Sequence, residues 1–168
     1  MNEEDKDSLR KSGCIAMNIS LKVPPPIVTI AIGAMMWCAA KIFPGLTFPI
    51  PFSGTIAGIT ALAGGAMSVL AMITFYKYKT TINSVNVDST SSFVSSGVYA
   101  ISRNPIYFGL LLVLIAWCFH ISNIVALFGV PLYIIYTNRF QIKPEEEAME
   151  IKFGQAYIAY KEKTRRWI

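Results

Sequence analysis

The fold is decided by the stretch Gly97-Val98-Tyr99-Ala100-Ile101-Ser102-Arg103-Asn104-Pro105-Ile106-Tyr107-Phe108-Gly109, which runs directly into an apolar segment. Arg103 lies at the mouth of that segment, where a charged side chain is costly unless it has a partner or a task. Pro105 suits the first turn of a helix. An arginine that snorkels to the membrane surface would explain the same residues. The stretch alone therefore leaves a structural and a functional role open.

The composition of the whole chain is typical of a membrane protein. Of its 168 residues, 54% are hydrophobic and only 15% are charged, which is more apolar than an average soluble domain. The length predicts one domain over 1–168. The net charge of +5 does not indicate a nucleic-acid partner, because the basic residues flank apolar runs and no nucleic-acid-binding module is present. The three cysteines have no metal-type spacing and are interpreted as free thiols.

Four apolar segments predict an all-α polytopic membrane protein with helices over 27–43, 54–76, 106–120 and 122–137. The second is the clearest, and one of its faces carries small residues that allow close approach of another helix. The last two are short for a hydrocarbon core of ~30 Å, so whether this pair crosses the bilayer fully stays open. Pro131 is expected to kink the fourth helix. The small residues of the second helix are Ala57, Ala61, Gly65 and Ser68.

The basic residues predict the orientation of these helices. On a four-helix topology nearly all of them fall on one side, which the positive-inside rule assigns to the cytoplasm. We therefore expect both termini, including a tail over 1–22, and the Arg103 stretch to face the cytoplasm, with Lys41 opposite. The basic residues on the expected cytoplasmic side are Lys6, Arg10, Lys11, Lys22, Lys77, Lys79, Arg103 and every one from Arg139 onward.

The last segment, 139–168, is predicted to be cytoplasmic and helical. Pro144 suits a helix start, and the glutamates after it suit the positive end of the helix dipole, as in many solvated helix starts. Apolar residues then recur at helical spacing and form one face that must dock on the membrane helices. We expect this docking to bring Glu145 and Glu146 close to Arg103, since a desolvated carboxylate and guanidinium require each other. The face consists of Met149, Phe153, Ala156, Tyr157 and Tyr160.

Together, the Arg103 stretch and the C-terminal pattern resemble those of the isoprenylcysteine carboxyl methyltransferases. They are also similar to the wider group of integral-membrane methyltransferases that includes the phospholipid N-methyltransferases. The resemblance covers residues 79–168. Many members carry His where this chain has Asn104, while bacterial relatives of unknown substrate often carry Asn. The C-terminal residues that carry the resemblance are Glu145-Glu146, Phe153-Gly154, Tyr157, Tyr160 and Arg165-Arg166-Trp167-Ile168.

The resemblance implies a methyltransferase that uses S-adenosylmethionine and acts on a lipidic or small apolar acceptor, with a prenylcysteine carboxylate as one candidate. It places the cofactor between the Arg103 stretch and a C-terminal helix that closes the pocket. Arg103 and Glu146 are the implied catalytic residues, and no metal is implied. Glu146 would accept the ribose hydroxyls, and Arg103 or Asn104 would meet the cofactor's carboxylate. The implied cofactor-binding residues are Gly97, Tyr99, Arg103, Asn104, Pro105, Tyr107, Glu145, Glu146, Tyr157 and Tyr160.

Two other functions stay open on the sequence. Membrane sterol reductases share a similar C-terminal arrangement but bind NADPH. This chain is short for such an enzyme, and a reductase should carry more basic residues to bind the extra phosphate of NADPH. A non-enzymatic membrane scaffold is the other alternative. Arg166 and Trp167 suit a pocket closure or a membrane-interface anchor equally well. The acceptor, the oligomeric state, and whether Arg103 orients cofactor or acceptor are left open.

Overall fold

The computed structural model describes residues 23–77 and 94–168. Within these two ranges the regular structure is helical, and no β-strand is present. The all-α class predicted from the sequence is confirmed. The expected tail over 1–22 and most of the loop before Gly97 lie outside the described residues.

Two helices are long and apolar enough to cross a membrane. The first, α1, spans Pro25–Ile42, and the second, α2, spans Ser53–Lys77. Each lies within two residues of its predicted bounds. Proline suits the start of α1 because the first turn leaves its N–H groups unpaired in any case. In the most apolar 18 residues of each helix, only 22% of the residues of α1 and 17% of those of α2 are buried. Such exposure is expected for helices that face lipid.

The third apolar helix, α3, spans Pro105–Ile121 and packs against both α1 and α2. Its 17 residues reach ~25 Å at the helical rise, somewhat less than the thickness of a hydrocarbon core. The helix ends at Ser122, whose φ of 52° lies in the left-handed region. Asn123 then starts the next helix, since its side-chain oxygen accepts a hydrogen bond from the Val125 N–H at 2.9 Å.

The predicted fourth helix over 122–137 begins within two residues of its expected start but is not continuous. Helix α4 covers Ile124–Leu127 and helix α5 covers Gly129–Thr137, with an interruption at Phe128. Pro131 explains the interruption, because a proline lacks the N–H that would bond the carbonyl four residues earlier and its ring presses against that carbonyl. The distortion expected at the proline is therefore found on its N-terminal side.

The C-terminal segment continues directly from α5, and it is divided into two helices. The chain continues from α5 through a π-helical turn, Asn138–Ile142, into α6, Lys143–Phe153. A break follows at Gly154, whose φ of 54° favours glycine, and α7 covers Gln155–Lys163. The residues before and after Gly154 therefore do not share one helical face, contrary to the prediction.

The closest helix contact joins α2 and α3. A Cβ atom on Gly64 would lie 2.5 Å from the carbonyl oxygen of Gly109, so the two backbones meet where neither has a side chain. Ala57 and Ala71 are buried along the same contact side of α2. The prediction that Gly65 lies in this contact is wrong, because the space beside Gly65 is open. The side of α2 that carries Gly64 and Ser68 is thus covered by a helix of the same chain.

The main apolar core lies between α1, α3 and α5. Its centre consists of Met36, Leu114 and Tyr133, each at most 2% exposed. The Tyr133 hydroxyl donates to the carbonyl oxygen of Tyr107 at 3.3 Å, which ties α5 to the first turn of α3. This packing fixes the start of α3, and the start of α3 positions Arg103.

Candidate active site

The candidate site lies where α3 begins and the C-terminal segment folds back. A 3₁₀ turn, Gly97–Ala100, leads into the Arg103 stretch. Gly97 opens the turn with a φ of 62°, a conformation that glycine adopts without steric cost. The Tyr99 ring meets the Phe75 ring edge-on at 5.0 Å between centroids. The turn is therefore anchored on the end of α2.

Glu146 is the centre of a buried ion-pair cluster. Its Oε1 lies 3.2 Å from Nη2 of Arg103. Arg166 donates to both carboxylate oxygens, from Nε to Oε1 at 3.2 Å and from Nη2 to Oε2 at 2.5 Å. The side chains of Glu146 and Arg103 are 5% and 10% exposed, so breaking this pair would leave an uncompensated charge largely out of water. Two guanidinium groups on one carboxylate give the cluster a net charge of one positive unit.

The C-terminal tail is tied to the Arg103 stretch by hydrogen bonds. The Arg103 N–H donates to the carbonyl oxygen of Arg165 at 3.0 Å. The Asn104 side chain donates from Nδ2 to the carbonyl oxygen of Arg166 at 3.1 Å. Ser102 is fully buried, and its hydroxyl oxygen accepts from the Asn104 N–H at 3.1 Å. The tail reaches Glu146 because its backbone is fixed against the start of α3.

Arg166 and Trp167 are absent from the set of site residues implied by the resemblance. The Trp167 indole donates from Nε1 to Oδ1 of Asn138 at 3.2 Å, which holds the tail against the π-helical turn. The hydrogen bond with Glu146 is the main cause that raises the pKa of the Arg166 guanidinium. The only sequence feature that pointed to Arg166 as a site residue was its position in a basic and aromatic chain end. It is shared by interface anchors, so it did not select Arg166.

Tyrosines from the turn and from α7 surround the ion pairs. The Tyr160 hydroxyl donates to the carbonyl oxygen of Tyr99 at 2.6 Å, and the Tyr157 ring lies 5.8 Å from the Tyr160 ring. Burial raises the pKa of Tyr160 to about 12. Burial, followed by the negative charge of Glu146, raises the pKa of Tyr157, and burial also raises that of Tyr99. All three tyrosines are therefore neutral hydroxyl groups at physiological pH.

The three consecutive glutamates of α6 have different surroundings. Glu145 accepts at Oε1 a hydrogen bond of 2.7 Å from the Tyr107 hydroxyl, which links α6 to the first turn of α3. Glu146 lies in the ion-pair cluster. Glu147 is 56% exposed, and its carboxylate lies 4.0 Å from the Lys143 ammonium. The structure therefore separates two site glutamates from one solvated glutamate.

Two buried polar atoms of the site have no hydrogen-bond partner among the described residues. They are the hydroxyl oxygen of Tyr99 and Nε of Arg103. Both groups can donate, and buried donors in native proteins rarely stay unpaired. Their position fits a ligand that brings a polar or anionic group to this end of the bundle. In residues 23–77 and 94–168 no three His, Cys, Asp or Glu side chains lie close enough to hold a metal ion.

Most residues that the resemblance implied lie in this cluster or directly beside it. Pro105 is among the most fully buried side chains and contributes the start of α3, with no polar contact. Gly97 lies apart at the other end of the 3₁₀ turn, where a Cβ atom would meet Thr74 of α2 at 3.6 Å. The residues gathered at the site are Tyr99, Arg103, Asn104, Tyr107, Glu145, Glu146, Tyr157 and Tyr160.

Comparison with known families identifies the chain. The profile of the phospholipid methyltransferase family matches residues 53–156, from the start of α2 into α7. The chain belongs to the phospholipid methyltransferase family. This membership confirms the resemblance stated above and, with the two long apolar helices, makes the chain a membrane methyltransferase.

Two further comparisons add no activity to this phospholipid methyltransferase family member. An uncharacterized protein of Haemophilus influenzae is 47% identical over 62 residues, which are 37% of this chain and 98% of that protein. Its description assigns no activity. No solved structure matches the chain.

Proposed function

We propose that this chain transfers the methyl group of S-adenosylmethionine to a lipidic or small apolar acceptor at the membrane surface. The observation that carries the proposal is the ion-pair cluster of Arg103 and Arg166 on the buried Glu146, at the end of an apolar helical bundle. S-adenosylmethionine supplies an electrophilic methyl carbon, to which a lone pair of the acceptor bonds while the carbon–sulfur bond breaks and a neutral thioether leaves.

The charge of the cluster supports binding of the amino-acid end of this cofactor. The unpaired Nε–H of Arg103 suits a carboxylate, because charge-assisted hydrogen bonds are the strong ones. Both oxygens of Glu146 already accept from guanidinium groups. In this proposal Glu146 therefore orients the two arginines, and the ribose role that the resemblance implies for it is not retained. The rings of Tyr157 and Tyr160 offer π faces to the sulfonium cation.

The position of the site supports an apolar acceptor. The cluster joins the start of α3 to the C-terminal segment, so it lies where apolar helices meet polar chain. A water-soluble cofactor can reach it from the solvent and an acceptor with an apolar tail from the bilayer. Holding the two reactants in line and away from water can lower the barrier by roughly 7–11 kcal/mol without a covalent intermediate. A prenylcysteine carboxylate and a phospholipid amine are both candidate acceptors.

Calorimetric titration of S-adenosylhomocysteine into the detergent-purified protein tests the cofactor. We expect saturable binding that Glu146→Gln and Arg103→Ala each weaken about tenfold or more, because a hydrogen bond to a charged group contributes ~1.5–3 kcal/mol. Glu147→Gln and Arg139→Ala are matched controls, since Glu147 and Arg139 are exposed side chains of the same segment. Both controls should bind like the wild type.

The opposite results are equally informative. A helical, folded wild-type sample that binds no S-adenosylhomocysteine would remove this cofactor from the proposal. Saturable binding of NADPH by that sample would favour the sterol-reductase alternative, and binding of neither would favour the scaffold. Equal losses in the site variants and the control variants would show that the titration reports general damage.

A further inference from the structure

A second candidate binding site lies along the outside of the bundle. A groove of about 750 Å³ runs along α3 between α1 and α2, and none of its lining residues belongs to the Arg103 cluster. Its walls are mostly apolar, and glycines and alanines such as Gly33, Gly58 and Ala61 make room for an occupant. The one hydroxyl on the walls, that of Thr29, donates to the carbonyl oxygen of Pro25 within its own helix. The groove therefore suits an alkyl chain.

One end of this groove is basic and aromatic. His120 and Trp37 line it. The Lys41 ammonium lies 5.5 Å from the centroid of the Trp37 ring, and the His120 ring stacks on Trp117 at 5.3 Å. Lys41 is the only charged residue between Val23 and Tyr76 in the sequence. The single charged side chain of this apolar region, Lys41, therefore lies beside Trp37 at one end of the groove.

We propose that the groove binds one membrane phospholipid, with an acyl chain between α1 and α2 and its phosphate at Lys41 and His120. Lysine and histidine both donate hydrogen bonds to phosphate oxygens. Tryptophan is enriched at the headgroup level of membranes, and basic pockets between membrane helices bind anionic headgroups. Along α3 the groove extends from Val113 to His120, which is ~10 Å at the helical rise. The site is separate from methyl transfer and does not depend on the proposed function.

Tryptophan quenching by phospholipids with brominated acyl chains tests this site, because Trp37 and Trp117 both line the groove. The detergent-purified protein is titrated with brominated phosphatidylglycerol, which is anionic, and with brominated phosphatidylcholine, which is zwitterionic. Gly58→Leu fills the groove, and Gly65→Leu is its matched control on the same helix outside it. A Cβ atom at either glycine meets no atom within 4 Å, so neither side chain clashes at its first carbon.

We expect saturable quenching at lower concentrations of the anionic lipid. Gly58→Leu should lose the saturable component, and Gly65→Leu should keep it. Lys41→Gln should weaken binding of phosphatidylglycerol about fivefold, the contribution of one lysine near an anionic headgroup. Lys77→Gln, at the opposite end of the bundle, should leave that affinity unchanged.

Three results would overturn the proposal. Identical quenching of Gly58→Leu and Gly65→Leu would mean ordinary contact with surrounding lipid. Equal affinity of the wild type and Lys41→Gln for phosphatidylglycerol would remove the headgroup site at Lys41. Sedimentation that finds a dimeric wild type and a monomeric Gly58→Leu variant would assign the groove to a second copy of the chain.

Discussion

At the residue scale, the site shows how burial changes the role of identical side chains. Glu145, Glu146 and Glu147 are consecutive, yet the first accepts from the Tyr107 hydroxyl, the second holds two arginines, and the third faces solvent. Consecutive helical residues point about 100° apart, so only part of such a run can face a neighbouring element. The ion pair of Glu146 gains strength from its low exposure, whereas an exposed pair contributes little.

Arg166→Ala should lower the free energy of unfolding by about 1 kcal/mol, because it removes two hydrogen bonds to a buried carboxylate from a side chain that is itself partly exposed. Arg166→Lys should restore only part of this loss, since lysine cannot reproduce the bidentate geometry. The measurement is thermal unfolding in detergent.

Arg165→Ala is the matched control for Arg166. The described contacts of Arg165 with the Arg103 stretch use its backbone, which alanine keeps. Unfolding temperatures that fall equally for Arg165→Ala and Arg166→Ala would contradict a specific role of the Arg166 side chain in the cluster.

At the element scale, the contact between α2 and α3 depends on which of two adjacent glycines faces the neighbour. Gly64 is buried against Gly109, while the space beside Gly65 is open. Helices in lipid lack a strong hydrophobic driving force, so close backbone approach contributes much of their association. The contact also positions the start of α3 relative to the end of α2.

Gly64→Ala and Gly65→Ala should therefore have effects of opposite sign. The added methyl at Gly64 would lie 2.5 Å from the Gly109 carbonyl oxygen, and separating the helices should cost about 1–3 kcal/mol of unfolding free energy. At Gly65 the same change should stabilise the helix by roughly 0.5–1 kcal/mol. Thermal unfolding of the two variants side by side measures both, and equal shifts would refute the assigned contact.

At the scale of the whole molecule, the order of the helices predicts where the chain ends lie. The end of α2 and the start of α3 meet at the Arg103 stretch, and the C-terminal tail returns to it. With four crossings, both termini and the candidate site would share one side of the membrane. The distribution of basic residues predicts that this side is the cytoplasm.

Thiol labelling in intact cells measures this topology. In a background with Cys14, Cys38 and Cys118 replaced by Ser, we expect Gly45→Cys to react with a membrane-impermeant maleimide. Glu162→Cys should react after permeabilisation alone, because it lies with the C-terminal segment. Both positions are exposed in the structure, so burial does not account for a difference. Labelling of both from the same side would contradict four crossings.

The amino-acid sequence alone predicts the helical class, the family and the two long apolar helices, because composition and apolar runs are local properties. It also predicts that α6 approaches Arg103, since a costly charge at an apolar boundary requires a partner. The break at Gly154 and the use of Gly64 in place of its neighbour depend on how helices dock, which local periodicity does not report. The pairing of Arg166 with Glu146 likewise requires the tail to return to the start of α3. Tertiary structure supplies these features because each depends on the relative position of segments far apart in the chain.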